Sequence, residues 1–359
     1  MSATNSPVRI TIDLAALGAN FAKLRALAES AEVAAVVKAN AYGLGMGPVA
    51  VRLVAEGCRT FFVSTLAEGM ELRRLQGSAR IFVLNEMPAD SVPLFLRHDL
   101  LPVLNTLDEM RAWAARAATA PAALQIDTGI TRAGLSGEDL AALNESRQLR
   151  SSLNLVLVMS HLACADEPDH PMNHQQLERF GALRQHWPRT PWSIANSAGI
   201  LLGPRFHGDL VRPGIALYGG RPCAVGANPM TEVLRLEGRV LQIRKLTAPA
   251  SVGYGATQRL TPPARVATVG LGYADGYPRS LGGRGFVFCN GQRAPLVGRV
   301  SMDLLTIDVS AAAHAALAVG EYVTLLGGGA PLEEIAALAG TVNYELLTSL
   351  SRRAERIYR

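Results

Sequence analysis

Val8, Ile10 and Ile12 alternate with polar neighbours, a period of two that predicts a short strand ending at Asp13. From Asp13 the period changes. Leu14, Leu17, Phe21, Leu24 and Leu27 fall on one face of a helix, with Asp13 placed to cap it. Apolar runs then alternate with amphipathic ones. The strand-like runs are EVAAVVK, RTFFVST, ARIFVLN, AALQIDT, LNLVLVMSH, PWSIANS and DLVRPGIALYG; among the helical ones are LAEGMELRRLQ, LDEMRAWAARAA, GEDLAALNESRQL and NHQQLERFGALRQHW. Near-continuous apolar strands separated by helices indicate a parallel sheet covered by helices. About eight such units in about 225 residues fit a (β/α)8 barrel better than an open sheet.

After about Gly226 the pattern turns to strands separated by Gly, Pro and Asn, as in EVLRLEGRVLQIRKL, RVATVGLGY, GFVFCNG and EYVTLLGG. Helical periodicity returns only near PLEEIAALAG and NYELLTSLSRRAERIY. The expected organisation is an α/β chain: a barrel over residues 1–225, then a mainly β domain over residues 226–359. The first strand, residues 8–13, is a candidate to pack on the second domain.

Composition narrows the function classes. A chain of 359 residues with 49% apolar and 18% charged residues is globular rather than disordered. No apolar run reaches membrane-span length and the opening MSATNSPVR lacks a secretory apolar core, so a cytoplasmic protein is the expectation. The net charge of +5 is spread out, without a basic run interleaved with aromatics, which argues against a nucleic-acid partner. Cys58, Cys164, Cys223 and Cys289 form no C-x-x-C pair and read as incidental thiols.

The basic residues are almost all arginine; the only lysines are Lys23, Lys38 and Lys245. Arginine can supply surface charge, but it cannot lose a proton and attack a carbonyl. Lys38, just past an apolar run, is therefore the leading candidate for covalent chemistry. Barrel active sites form at the C-terminal strand ends. There stand Lys38, Asp127 with Thr128, His161, Asn196 with Ser197, and Arg212. Each has a structural reading too: a solvated turn, a rim histidine, a helix cap, or a pair with Asp209. Their coincidence on one barrel face favours a site. His170 and His174, with Cys164, Asp166 and Asp169 nearby, are spaced for a metal, but Pro171 interrupts them; no metal site is assigned. GLGMG at Gly43–Gly47 follows a strand yet is not a dinucleotide fingerprint.

Longer motifs carry a family resemblance. AVVKANAYGLG, IDTGITRAGL, SHLACADE, IANSAGIL, DLVRPGIALYG, VGYG, GYADGYPR, GRVSMDLLTIDV and TVNYELLTSLSRRAERIY occur in that order, and together the chain resembles alanine racemases from its first strand to its last helix. The resemblance implies a (β/α)8 barrel followed by a mostly β domain, pyridoxal 5′-phosphate (PLP) as cofactor, and a homodimer whose sites are shared between subunits. It implies that Lys38 carries PLP covalently and serves as one catalytic base, with Tyr254 of the other subunit as the opposed base. His161 and Arg132 are implied to favour the phenolate, Arg132 also meeting the substrate carboxylate. Arg212 is implied to face the pyridine nitrogen. Tyr42, Ser197, Gly214, Ile215 and Tyr344 are implied to bind the phosphate, with Asn196 supporting the cofactor. Tyr273, Met302 and Asp303 of the partner are implied to shape the substrate side.

Two positions depart from the family pattern. Gln125 stands where many members carry a carbamylated lysine, and Ser193 where some carry histidine. The expected activity is interconversion of L- and D-alanine, which typically serves peptidoglycan synthesis. Broader amino-acid racemisation and barrel-type PLP decarboxylation are the alternatives within enzymes. A decarboxylase of this type would place a carboxylate where Arg212 stands. A non-catalytic PLP carrier would lack the second domain and the Tyr254 motif, and a metal-dependent hydrolase would rest on the three histidines alone.

Overall fold

The computed structural model describes residues 6–85, 87–117 and 119–359. Seven strands form one all-parallel sheet in chain order: Ala35–Val36, Thr60–Val63, Arg80–Val83, Leu101–Leu104, Pro121–Gln125, Asn154–Met159 and Trp192–Ser193. The short strand Leu210–Val211 closes the ring. It pairs in parallel with Glu32–Val33, and on its other side Arg212 N–H donates to the Ala195 carbonyl and Asp209 N–H to that of Trp192. The result is the eight-stranded barrel expected from the sequence.

One barrel strand is absent from the apolar runs read from the sequence. Leu101–Leu104 contains Pro102, which removes a ladder donor and disguises the strand, yet Pro102 still pairs in register with Val83. DLVRPGIALYG, conversely, is strand only at Leu210–Val211; Pro213 has no N–H to donate, though its carbonyl still accepts from Val36 N–H. Helices between strands are fixed by local chemistry. Asp13 caps Leu14–Ala28 by accepting from Ala16 N–H, and Thr65 with Glu68 forms a reciprocal capping box on Leu66–Leu75. Pro171 does not interrupt a helix: it is the first residue of Pro171–Leu183, capped by His170.

Most of the remaining strands build a second sheet around the long strand Leu234–Leu246, in the order Gln292–Pro295, Phe286–Cys289, Tyr322–Leu326, Leu234–Leu246, Val8–Ile12 and Glu355–Tyr358, while Ala250–Val252 and Gln258–Leu260 pair in a separate antiparallel hairpin. Ala264–Val269 and Leu305–Asp308 extend it from the distal half of the long strand. The N-terminal strand lies in this sheet, antiparallel to Leu234–Leu246 and parallel to the C-terminal strand. The strands Val8–Ile12 and Glu355–Tyr358 are thereby both part of the second sheet. No described helix is long and apolar enough to cross a membrane.

Candidate active site

A cavity of about 1030 Å³ opens at the C-terminal ends of the barrel strands. Its lining brings together Lys38, Tyr42, Arg132, His161, Asn196, Ser197, Arg212, Gly214, Ile215 and Tyr344. Tyr254, Tyr273, Met302 and Asp303 do not line it in this chain. Tyr254 stands 74% exposed on a turn of the second domain, and Tyr273 and Met302 are also exposed.

Lys38 follows the strand Ala35–Val36 and begins an unusual turn. Ala39, Asn40, Ala41 and Tyr42 all have φ between 53° and 55°, four consecutive non-glycine residues in the left-handed region. Each costs about 1–2 kcal/mol for an L-residue, so the turn persists only because its surroundings hold it. Asn40 Oδ1 accepts from Met46 N–H at 2.8 Å and Glu68 accepts from Ala39 N–H at 2.6 Å. Glu68 was not singled out from the sequence, although the Thr65-x-x-Glu68 capping signature was there to find. The turn places the Lys38 amine at one end and the Tyr42 phenol at the other.

Three cations converge on the cavity, and none of them makes an ion pair with a carboxylate among the described residues. Burial holds the Lys38 amine below its usual value; Arg132 and Arg212 push it further down, while Glu68 opposes them. Arg212 is buried. Its guanidinium donates to Ser193 Oγ at 2.9 Å, to the Ser160 carbonyl, and to the Ile194 carbonyl at 3.4 Å, above the Phe62 ring in the barrel interior. Burial lowers it to about 9, with Arg132 adding to the shift, so it stays charged at neutral pH. Arg212 does not pair with Asp209, whose carboxylate accepts from Trp192 N–H instead. His161 lies 3.5 Å from Arg212 through Nδ1. Burial, then Arg212, Arg132 and Lys38, keep it far below the usual imidazole range, and hence neutral.

The carboxylates at the rim are already engaged by the backbone. Asp127 Oδ1 accepts from the N–H groups of Gly129, Ile130 and Thr131, fixing the loop that presents Arg132. Gln125 anchors the same loop by donating to the Ala133 carbonyl at 3.1 Å. Gln176, unnoticed in the sequence, donates to Thr128 Oγ1 and the His161 carbonyl from the helix behind. Glu109 accepts from Met87, Asn105 and Thr106 N–H groups. Three cations face two lining carboxylates whose oxygens are taken up by backbone N–H groups, and the positive side of that balance suits an anionic ligand.

On the opposite wall, Tyr42 packs between Tyr218 at 4.7 Å and Tyr344 at 6.1 Å, centroid to centroid. Burial raises the Tyr42 phenol and brings that of Tyr344 to about 12, so both remain O–H donors. Ser197 Oγ accepts from the N–H groups of Gly214 and Ala216, and Asn196 caps the helix Ser197–Leu201. A Cβ at Gly214 would come within 2.2 Å of Tyr42 Oη, so this approach requires glycine. Hydroxyls and a helix start thus gather at one end of the cavity, features that suit a phosphate.

His170 and His174 have other work. His170 Nδ1 accepts from Met172 N–H, and the His174 ring packs on Phe206. No grouping of three or more His, Cys, Asp or Glu side chains suited to a metal occurs among the described residues.

Comparison with known proteins places the whole chain. The alanine racemase N-terminal domain model matches residues 12–222, and the C-terminal domain model matches residues 233–358. The chain is 47% identical over 354 residues to a catabolic alanine racemase of Agrobacterium fabrum, covering 97% of this chain and 91% of that protein. It is 46% identical to the alanine racemase of Rhodospirillum rubrum, covering 97% and 95%. Among solved structures, the alanine racemase of Bartonella henselae with covalently bound pyridoxal phosphate superposes with a TM-score of 0.93 at 36% identity, covering 99% of this chain and 100% of that one.

Proposed function

Since the chain belongs to the alanine racemase family, we propose that it interconverts L- and D-alanine with PLP carried on Lys38. The observation that carries this reading is the convergence of the Lys38 amine, two further unpaired cations and a hydroxyl-lined pocket in one cavity. These residues fit a cofactor with an aldehyde for an amine, a phosphate for hydroxyl and N–H donors, and a ring nitrogen.

When bound, PLP supplies the electron sink that acidifies the α-carbon of an attached amino acid. The chain's own groups do the rest. Tyr42, Tyr344, Ser197 and the Gly214–Ile215 backbone hold the phosphate, with Asn196 in support. Arg212 meets the pyridine nitrogen as a donor. A guanidinium cannot accept a proton and discourages one on the ring, which moderates the sink and favours proton return over transamination. The same argument disfavours an amino-acid decarboxylase, which needs an acid there. Arg132 binds the alanine carboxylate.

Inversion requires removal of the α-proton on one face and delivery on the other. Lys38 Nζ, whose lowered proton affinity leaves more of it as free amine, serves one face. Tyr42 and Tyr344 also line the cavity, but at the end assigned to the phosphate and with phenols that burial keeps protonated, whereas Tyr254 is exposed on the second domain. We assign the other face to Tyr254 of the partner subunit, as the family resemblance implies, in a homodimer with shared sites whose Tyr273, Met302 and Asp303 shape the substrate side. Domains of residues 1–225 and 226–359 then act as cofactor holder and partner cap. A racemase assay across a panel of L-amino acids with PLP tests the reading. Alanine should be turned over far faster than bulkier residues; comparable turnover of large side chains would point to a broad-specificity racemase, and decarboxylation would overturn it.

A further inference from the structure

The left-handed turn after Lys38 is held from outside the barrel. Arg356 lies on the C-terminal strand Glu355–Tyr358, in register with Ile10 of the N-terminal strand. Its guanidinium reaches across and donates twice to the Gly43 carbonyl, from Nε at 3.2 Å and Nη2 at 2.9 Å. Its other donors go to carbonyls of Ser351, Ala354 and Leu350, with no carboxylate partner among the described residues. Two residues further on, Tyr358 Oη donates to the Leu44 carbonyl at 2.9 Å. Contact is so close that added Cβ atoms would sit 2.3 Å from the Leu347 carbonyl oxygen at Gly43 and 2.1 Å from Tyr358 Oη at Gly45. Both glycines also have positive φ.

We propose that Arg356 is a positioning residue for the cofactor site, clamping the far end of the left-handed turn so that Lys38 and Tyr42 face the cavity together. The proposal rests on the functional reading above for what Lys38 and Tyr42 bind. Arg356 touches neither substrate nor cofactor; it acts through Gly43. Asn40 and Glu68 hold the near part of the turn. Without Arg356 its far end loses two hydrogen bonds, and left-handed residues kept in place only by their surroundings relax toward ordinary backbone. That relaxation would rotate the amine and phenol away from each other. Tyr358 shares the task with one hydrogen bond where Arg356 supplies two.

The test uses full-length Arg356→Met, Arg356→Lys and Tyr358→Phe, with Arg73→Met as a control. Arg73 is a guanidinium bonded to carbonyls of His98, Gln76, Gly77, Ala79 and Asp99 on the barrel flank, and unlike Arg356 it also pairs with the Asp99 carboxylate at 3.5 Å. PLP affinity is read from the visible absorbance of the lysine-bound cofactor, and amide hydrogen exchange across residues 39–45 is read in the cofactor-free protein. Arg356→Met should weaken PLP by roughly 10-fold or more and speed exchange in that segment by about the same factor. Arg356→Lys should recover part of both, and Tyr358→Phe should show a smaller shift in the same direction. Arg73→Met should lower the melting temperature without either change. The proposal is overturned if Arg356→Met, or Arg356→Lys should the methionine variant not fold, behaves like the control. If wild-type protein takes up no PLP on Lys38, the functional reading falls, and the exchange comparison alone decides the role of Arg356.

Discussion

Replacing Asp127 by Ala should weaken catalysis without touching a group that meets the cofactor. One oxygen of Asp127 accepts three backbone N–H bonds, from Gly129 at 2.8 Å, Ile130 at 3.0 Å and Thr131 at 3.2 Å. A hydrogen bond to a charged group contributes about 1.5–3 kcal/mol when shielded. Asp127 is only half-buried and Thr131 is exposed, so water recovers much of the loss. The net effect should resemble removal of a good helix cap, about 1–2 kcal/mol. It falls on the loop that aims Arg132, and therefore on alanine binding, as roughly a 5–30-fold fall in kcat/KM. The loss should reside mainly in KM, with PLP content unchanged. Asp127→Asn keeps an acceptor oxygen and should lose less. Steady-state racemisation of L-alanine by coupled assay gives the numbers, with a thermal melt to exclude unfolding. An Asp127→Ala enzyme with wild-type kcat/KM, or one whose loss tracks PLP occupancy alone, would refute the reasoning.

Acid stability should carry the signature of His161. Its folded proton affinity is depressed, so the unfolded state binds more protons, and stability present above the unfolded value near 6.5 is lost as pH falls below it. His161→Gln should flatten this decline in urea titrations of the cofactor-free protein; an unchanged slope would contradict the assignment. Activity should not depend on carbon dioxide, because the Gln125 amide already anchors the Arg132 loop through Ala133 and cannot become an anion. Scrubbed buffers should leave kcat/KM unaltered; a marked loss restored by bicarbonate would reverse that conclusion.

Much of the site was legible because strand ends in a barrel converge, so that Lys38, His161 and Arg212 announce themselves as polar residues closing apolar runs. The longer motifs then named the family. What the chain concealed lies in tertiary contacts. Ala39, Ala41 and Tyr42 have no preference for left-handed backbone, and only their neighbours impose it. The grip of Arg356 on Gly43 joins residues 313 apart, beyond any local pattern. Pro102 hid a barrel strand by removing the donor that periodicity presumes. Asn196 and Asp127 show that a capping role and a place at the cavity are compatible, so the bland reading of a residue does not displace the functional one.

The most direct test of the two-base account is Tyr254→Phe assayed by solvent deuterium incorporation into the α-position, starting separately from L- and D-alanine. Because Tyr254 is exposed and does not line the barrel-mouth cavity of its own chain, the variant should keep PLP on Lys38. Exchange should survive on the face served by Lys38 and collapse on the other, with racemisation lost in both directions. Equal loss of exchange from both enantiomers, or loss of PLP with it, would contradict the account.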